Sequence, residues 1–139
     1  MIIRLLGDDV TRYLSPLVAK VYAVDPADID EQVLALPNVE HIRKKAEDVV
    51  DALTDTLDVL VCDMNVHPNQ TMAICNQALP MLRKGGTLFM TMKFHGTGRD
   101  KSVAMERYRQ AIGATMTGID CISLFANKPA ERMLVAVKA

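Results

Sequence analysis

Short apolar, β-branched runs alternate with amphipathic stretches along the whole sequence, and this alternation limits the folds open to it. The most telling run is LDVLVC at 57–62, closed by Asp63. Such a run reads as a central strand buried on both faces. Ile2–Leu6, Val21–Val24, Val39–Ile42, Thr87–Met92, Cys121–Phe125 and Met133–Val137 read as further strands. Between them, helical spacing predicts Asp9–Ala19, Asp30–Leu36, Ala46–Leu53, Asn69–Arg83 and Arg99–Ile112, with a loop at 96–98. Asp8 or Asp9 is available to cap the first helix, Pro16 to kink or break it, and Pro37 to stop the second. Gly85 and Gly86 are placed to end the fourth as a C-cap.

This order predicts an α/β fold, a mostly parallel sheet with helices on both faces and right-handed crossovers. Only residues 126–132 separate the last two strands, too few for a crossover helix, so the last strand is expected to be antiparallel. A chain of 139 residues that is 50% hydrophobic has the length and the apolar content of one domain, spanning 1–139.

Net charge is −1, so no global field draws the chain to nucleic acid. An RNA partner would need local basic patches. Arg43, Lys44 and Lys45 form one candidate; Arg99, Lys101, Arg107 and Arg109 form another; either could equally be a solvated face. Cys62, Cys75 and Cys121 show no metal-ligand spacing and read as reduced thiols. No apolar run approaches bilayer length, and MIIRLLGDD is too short and too soon charged for a signal peptide, so the expected location is the cytoplasm.

Open α/β sheets bind ligands beyond the carboxyl ends of their strands. The polar residues at those ends are therefore the candidates. Asp25 closes VYAVD, where a carboxylate can accept ribose hydroxyls; the alternative is a turn acid ahead of Pro26. Asp63 closes the central strand and faces the cleft, unless it serves as an N-cap or loop acid. Lys93 closes TLFMTMK. If its strand neighbours the Asp63 strand, about 4.8 Å away, the two charges can meet and hold each other in place. The alternative is a solvated lysine. Glu131 enters the same cleft if the last strand returns beside Lys93. His67 and His95 could line the rim, whereas His41 alternates with apolar neighbours and reads as structural.

At these residues the sequence resembles a known family. VLVCDMNVHPNQTMAICNQALPMLRKGGTLFMTMKF is similar to the central block of the FtsJ-like (heat-shock type) ribosomal RNA 2′-O-ribose methyltransferases. The nearest branch methylates a cytidine of large-subunit ribosomal RNA. The likeness runs from about Lys20 to the C-terminus and is most specific from Asp63 to Phe94. It implies a Rossmann-like class I methyltransferase sheet and S-adenosylmethionine as cofactor. It also implies a Lys-Asp-Lys-Glu tetrad around the target hydroxyl, with Asp63, Lys93 and Glu131 as its last members. Lys93 would take or polarise the hydroxyl proton. Cofactor contacts would come from Gly7, Asp25, Glu47 and Asp63.

The pattern also departs from the family. The tetrad's first lysine belongs ahead of the first strand, where this sequence has no residue for it. The glycine-rich loop is reduced to Gly7 in LLGDDVTRYL, and the acid expected after the third strand is replaced by IRKKAED, leaving Glu47 as a substitute. These departures support an alternative, a non-catalytic methyltransferase-like binding module with a degenerate cofactor site. No GxGxxG follows the first strand, which disfavours a nicotinamide enzyme.

Overall fold

The computed structural model describes residues 2–5, 8–94, 98–123 and 130–139, with side chains described over 9–94, 101–123 and 130–139. Its strands are β1 (Ile2–Leu5), β2 (Val21–Val24), β3 (Val39–Ile42), β4 (Leu57–Cys62), β5 (Leu82–Lys93), β6 (Met116–Ile122) and β7 (Glu131–Lys138). Its α-helices are α1 (Asp8–Leu14), α2 (Glu31–Leu34), α3 (Val50–Leu53), α4 (Pro68–Ala78) and α5 (Gly98–Ile112). All strands join one 7-stranded sheet in the order β3-β2-β1-β4-β5-β7-β6. Pairing is parallel from β3 to β5, while β7 runs antiparallel to both β5 and β6. The expected α/β sheet, with an antiparallel last strand and helices on both faces, is the one observed.

Several elements are shorter than their apolar patterns suggest, for local reasons. α1 runs over Asp8–Leu14, so the two candidate caps, Asp8 and Asp9, fall at its start. Pro16 ends it as expected, and the chain continues as a 3-10 turn over Ser15–Leu17. Asn38 fastens that turn to the strand behind it: its amide donates to the carbonyls of Ser15 and Val18 at 2.7 and 2.8 Å. Asp30 caps α2 by accepting from the Gln32 N–H at 2.7 Å. The expected helix over Ala46–Leu53 is divided into a 3-10 turn, Ala46–Asp48, and the single turn of α3. The strand expected at Cys121–Phe125 begins earlier, at Met116. Leu6, His95 and Phe125 lie outside the described residues.

Gly85 and Gly86 do not cap a helix. α4 ends at Ala78, Pro80 sits in a 3-10 turn, and the chain is already in β5 at Leu82. The glycines instead belong to a bulge: Leu57 pairs with Leu82, but Val59 pairs with Thr87. Gly85 adopts φ +77°. A Cβ on Gly86 would lie 2.8 Å from the Arg83 carbonyl and 3.0 Å from that of Leu57. The backbone approach there admits no side chain.

The core lies mainly on one side of the sheet. Leu60 and Cys62 of β4, Leu88, Met90 and Met92 of β5, and Leu134 and Ala136 of β7 are fully buried against α4 and α5 residues such as Cys75 and Ile112. The other side carries a smaller cluster of Ala23, Ile29 and Val33, where α1 contacts β2 and α2 contacts β3. Beyond it, Val59, Val61, Phe89, Met133, Val135 and Val137 are only half-buried. β4 is thus central in the sheet, but it is not buried on both faces. Its side chains alternate between a closed face and a partly open one.

The bulge gives a direct test. Gly86→Ala is expected to lower the unfolding free energy by about 1–3 kcal/mol in urea, the range for forcing atoms into a packed site. Gly85→Asn, with open space and a φ that asparagine tolerates, is expected to cost less. Equal costs would contradict the close approach at Gly86.

Candidate active site

The carboxyl ends of β4 and β5 carry Asp63 and Lys93. β4 and β5 are hydrogen-bonded neighbours, with Cys62 opposite Met90. Lys93 Nζ lies 3.8 Å from Asp63 Oδ1, and the two side chains are 24% and 32% exposed. In the ladder between β5 and β7, Lys93 is directly opposite Glu131. Directly opposed residues share a face. Asp63, Lys93 and Glu131 therefore gather at one edge of the sheet, as the strand-end reading expects. Asp63 is not a helix cap: that position belongs to His67, whose Nδ1 accepts from the Asn69 N–H at 3.3 Å. His67 thus has a structural task.

Directly beneath Asp63, Cys62 is fully buried. Burial pushes the Cys62 thiol well above its ordinary pKa, and its Sγ lies 2.9 Å from the Sγ of the buried Cys75. The two buried sulfurs thus pack against each other under the site.

A cavity of about 240 Å³ opens beside the charged edge, between the ends of β2, β3 and β4 and the side of α4. Val24, Met64, Val66 and Ile74 give it apolar walls, and Glu47, Lys45 and Gln70 supply polar groups. Glu47 was expected here, and the 3-10 turn Ala46–Asp48 is what presents it. Lys45, Met64, Val66 and Gln70 were not anticipated. Met64 and Val66 follow directly on Asp63, so extending the strand-end argument along that loop would have found them.

Asp25 lies at the end of β2 between two cavity residues, Val24 and Pro26, and is 8% exposed. Its Oδ1 accepts from the Ala27 N–H at 2.8 Å, so the carboxylate holds its own turn. His41 supports the turn as well, through Nε2 at 3.0 Å from the Asp25 carbonyl. That contact gives His41 the structural role expected of it. Gly7 lies outside the described residues, as do His95 and the side chain of Arg99. In the first basic run Arg43 is paired with Asp28, which reduces the local charge; Lys44 and Lys45 are exposed.

The methyltransferase-domain family model matches residues 3–91, and the chain belongs to that family. The expectation of S-adenosylmethionine as cofactor agrees with this membership. Among solved structures the chain is similar to the fibrillarin pre-rRNA processing protein of Methanococcus jannaschii, with TM-score 0.79 and 18% identity over 99% of this chain and 65% of that one. It is also similar to Aeropyrum pernix fibrillarin in complex with natively bound S-adenosyl-L-methionine (TM-score 0.75, 23% identity, 98% of this chain and 65% of that one). An rRNA methylase from Streptococcus thermophilus is a third (TM-score 0.66, 18% identity, 99% of this chain and 85% of that one). The chain thus spans about 65% of each fibrillarin and more of the methylase. At these identities the likeness is one of fold. No curated protein matches the sequence significantly.

The Lys93–Asp63 pair is part-buried but long, at 3.8 Å, which makes it a poor source of stability. Lys93→Met and Asp63→Asn are each expected to change the unfolding free energy by less than about 1 kcal/mol, the scale of a loosely made, partly solvated ion pair. A loss several times larger in urea denaturation would mark the pair as structural.

Proposed function

We propose that the chain is an S-adenosylmethionine-dependent methyltransferase acting on a ribose 2′-hydroxyl of RNA. The observation that carries this reading is the gathering of Asp63, Lys93 and Glu131 at one sheet edge, beside the cavity walled by Val24, Met64 and Ile74. The likeness of the Asp63–Phe94 block to the FtsJ-like enzymes supports it. So do the structural neighbours, which include an rRNA methylase and a fibrillarin pre-rRNA processing protein. The reading carries a cytoplasmic location with it. No helix among the described residues is long and apolar enough to cross a membrane.

The cavity suits the adenosine half of the cofactor. Its apolar walls match the faces of a flat heterocycle, and Glu47 and Gln70 offer hydrogen-bonding groups at the margin. Asp25 and Gly7 would complete the cofactor contacts on the β1–β2 side, and Asp63 would border both halves of the site. When bound, the cofactor supplies an electrophilic methyl group on a sulfonium. The chain's own residues would prepare the acceptor. Asp63 and Glu131 fix the position of the Lys93 amine, and Lys93 binds the hydroxyl and polarises its O–H bond. Most of the acceleration would come from holding the hydroxyl oxygen in line with its target.

One observation favours a second reading, a binding module with a weakened cofactor site: the Asp25 carboxylate is already engaged by its own turn. Transfer of labelled methyl from S-adenosylmethionine to RNA decides between them. Under the enzyme reading, Lys93→Ala lowers transfer at least about 100-fold, the usual scale for a lost acid–base group, while S-adenosylhomocysteine binding by calorimetry persists. Methylated ribose should then resist alkaline cleavage at the modified linkage. Alkali-sensitive product would move the target to a base, and no product at all would favour the module.

A further inference from the structure

A second cavity, of about 510 Å³, lies across the sheet from the paired Lys93 and Glu131. Phe94 and Arg132 are their immediate neighbours in sequence, and successive strand side chains point to opposite faces. Both therefore leave the reactive edge for the side that α5 covers, and both line this cavity. Lys101, Met105 and Arg109 recur at every fourth position of α5 and form its opposite wall. Phe94 is 5% exposed and Met105 half-buried, so the lining is apolar between its cations.

The cations converge from separate elements. Burial raises the pKa of the Cys121 thiol on β6, while Arg132 of β7 and Arg109 of α5 both act on it in the opposite sense. The two guanidinium groups are thus within electrostatic reach of one point. Glu106 is the one acid among the described lining residues, and its Oε1 is engaged by the Gln110 amide at 3.1 Å. A cavity with such an excess of cation, two members being arginine, has the chemistry of a phosphate site. The planar guanidinium fork matches phosphate oxygens, and contacts of this kind position a nucleic-acid strand.

Resting on the RNA reading above, we propose that this cavity binds a backbone phosphate of the strand whose ribose lies at Lys93, with Lys101, Arg109 and Arg132 as its contacts. The strand would cross the carboxyl edge of β5 and β7, presenting a hydroxyl on one side and a flanking phosphate on the other. Arg132 is the member that neither basic run in the sequence contained.

Fluorescence anisotropy with a labelled single-stranded RNA, titrated with salt, tests the assignment. Each phosphate contact contributes about 0.7 to the slope of log K against log salt for single strands. One phosphate is held here, so the triple variant Lys101→Gln, Arg109→Gln, Arg132→Gln should lose about 0.7 of that slope, and Arg132→Gln alone part of it. Circular dichroism would verify that each variant is folded, and Arg43→Gln, on the other basic run, should keep the full slope. Folded variants with the unchanged wild-type slope would overturn the phosphate site alone. A wild-type chain that binds S-adenosylhomocysteine but no RNA would overturn the RNA reading and this assignment together.

Discussion

The hydrogen-bonded register joining β4, β5 and β7 decides where the charged side chains meet. Cys62 lies opposite Met90, and Lys93 opposite Glu131. Because side chains alternate, a slip of one residue in either ladder would send Lys93 toward the core and a methionine or phenylalanine toward the cleft. The fully buried row of Leu60, Leu88, Met90 and Leu134 makes such a slip costly. The same packing that stabilises the sheet therefore positions Asp63, Lys93 and Glu131 without any specialised loop geometry. The bulge at Gly85 and Gly86 contributes by absorbing extra residues at the far end of β5, leaving the ladder regular from Thr87 to Lys93.

Much of this was legible in the sequence, since strands announce themselves by composition. Val21–Val24 and Leu57–Cys62 have the expected bounds because mainly apolar runs closed by Asp leave little choice, and Val39–Ile42 has them because its two β-branched residues lie between Pro37 and the charged run at Arg43. The antiparallel last strand followed from a connection too short for a crossover. The meeting of Asp63 with Lys93 followed once their strands were taken as neighbours.

What could not be read depends on tertiary packing. Helical periodicity from Asn69 to Arg83 does not reveal that Pro80 ends the helix and that the following residues enter a strand. Burial of β4 on both faces was overestimated because apolar content does not say how much of each face other elements cover. Arg132 was passed over because an isolated arginine on a strand has no local pattern; it gains meaning only when β7 and α5 come together. The Asp25 turn shows the structural alternative that was expected, an acid that organises the backbone around Pro26, and it does so at a strand end beside a cavity.

The placement of β1 carries a consequence for how the chain reaches this structure. β1 comes first in sequence yet sits between β2 and β4, with Ile2 beside both Val21 and Val59. One side of it can pair early, whereas the other waits until β4 has been synthesised and brought back across the sheet. Parallel pairings between distant segments carry a loop-closure cost before they return any stabilisation. The step that joins β1, β2 and β3 to the β4, β5, β7 and β6 side of the sheet is therefore a natural bottleneck in folding. Until it is passed, the edge of β1 is an unpaired template for another chain.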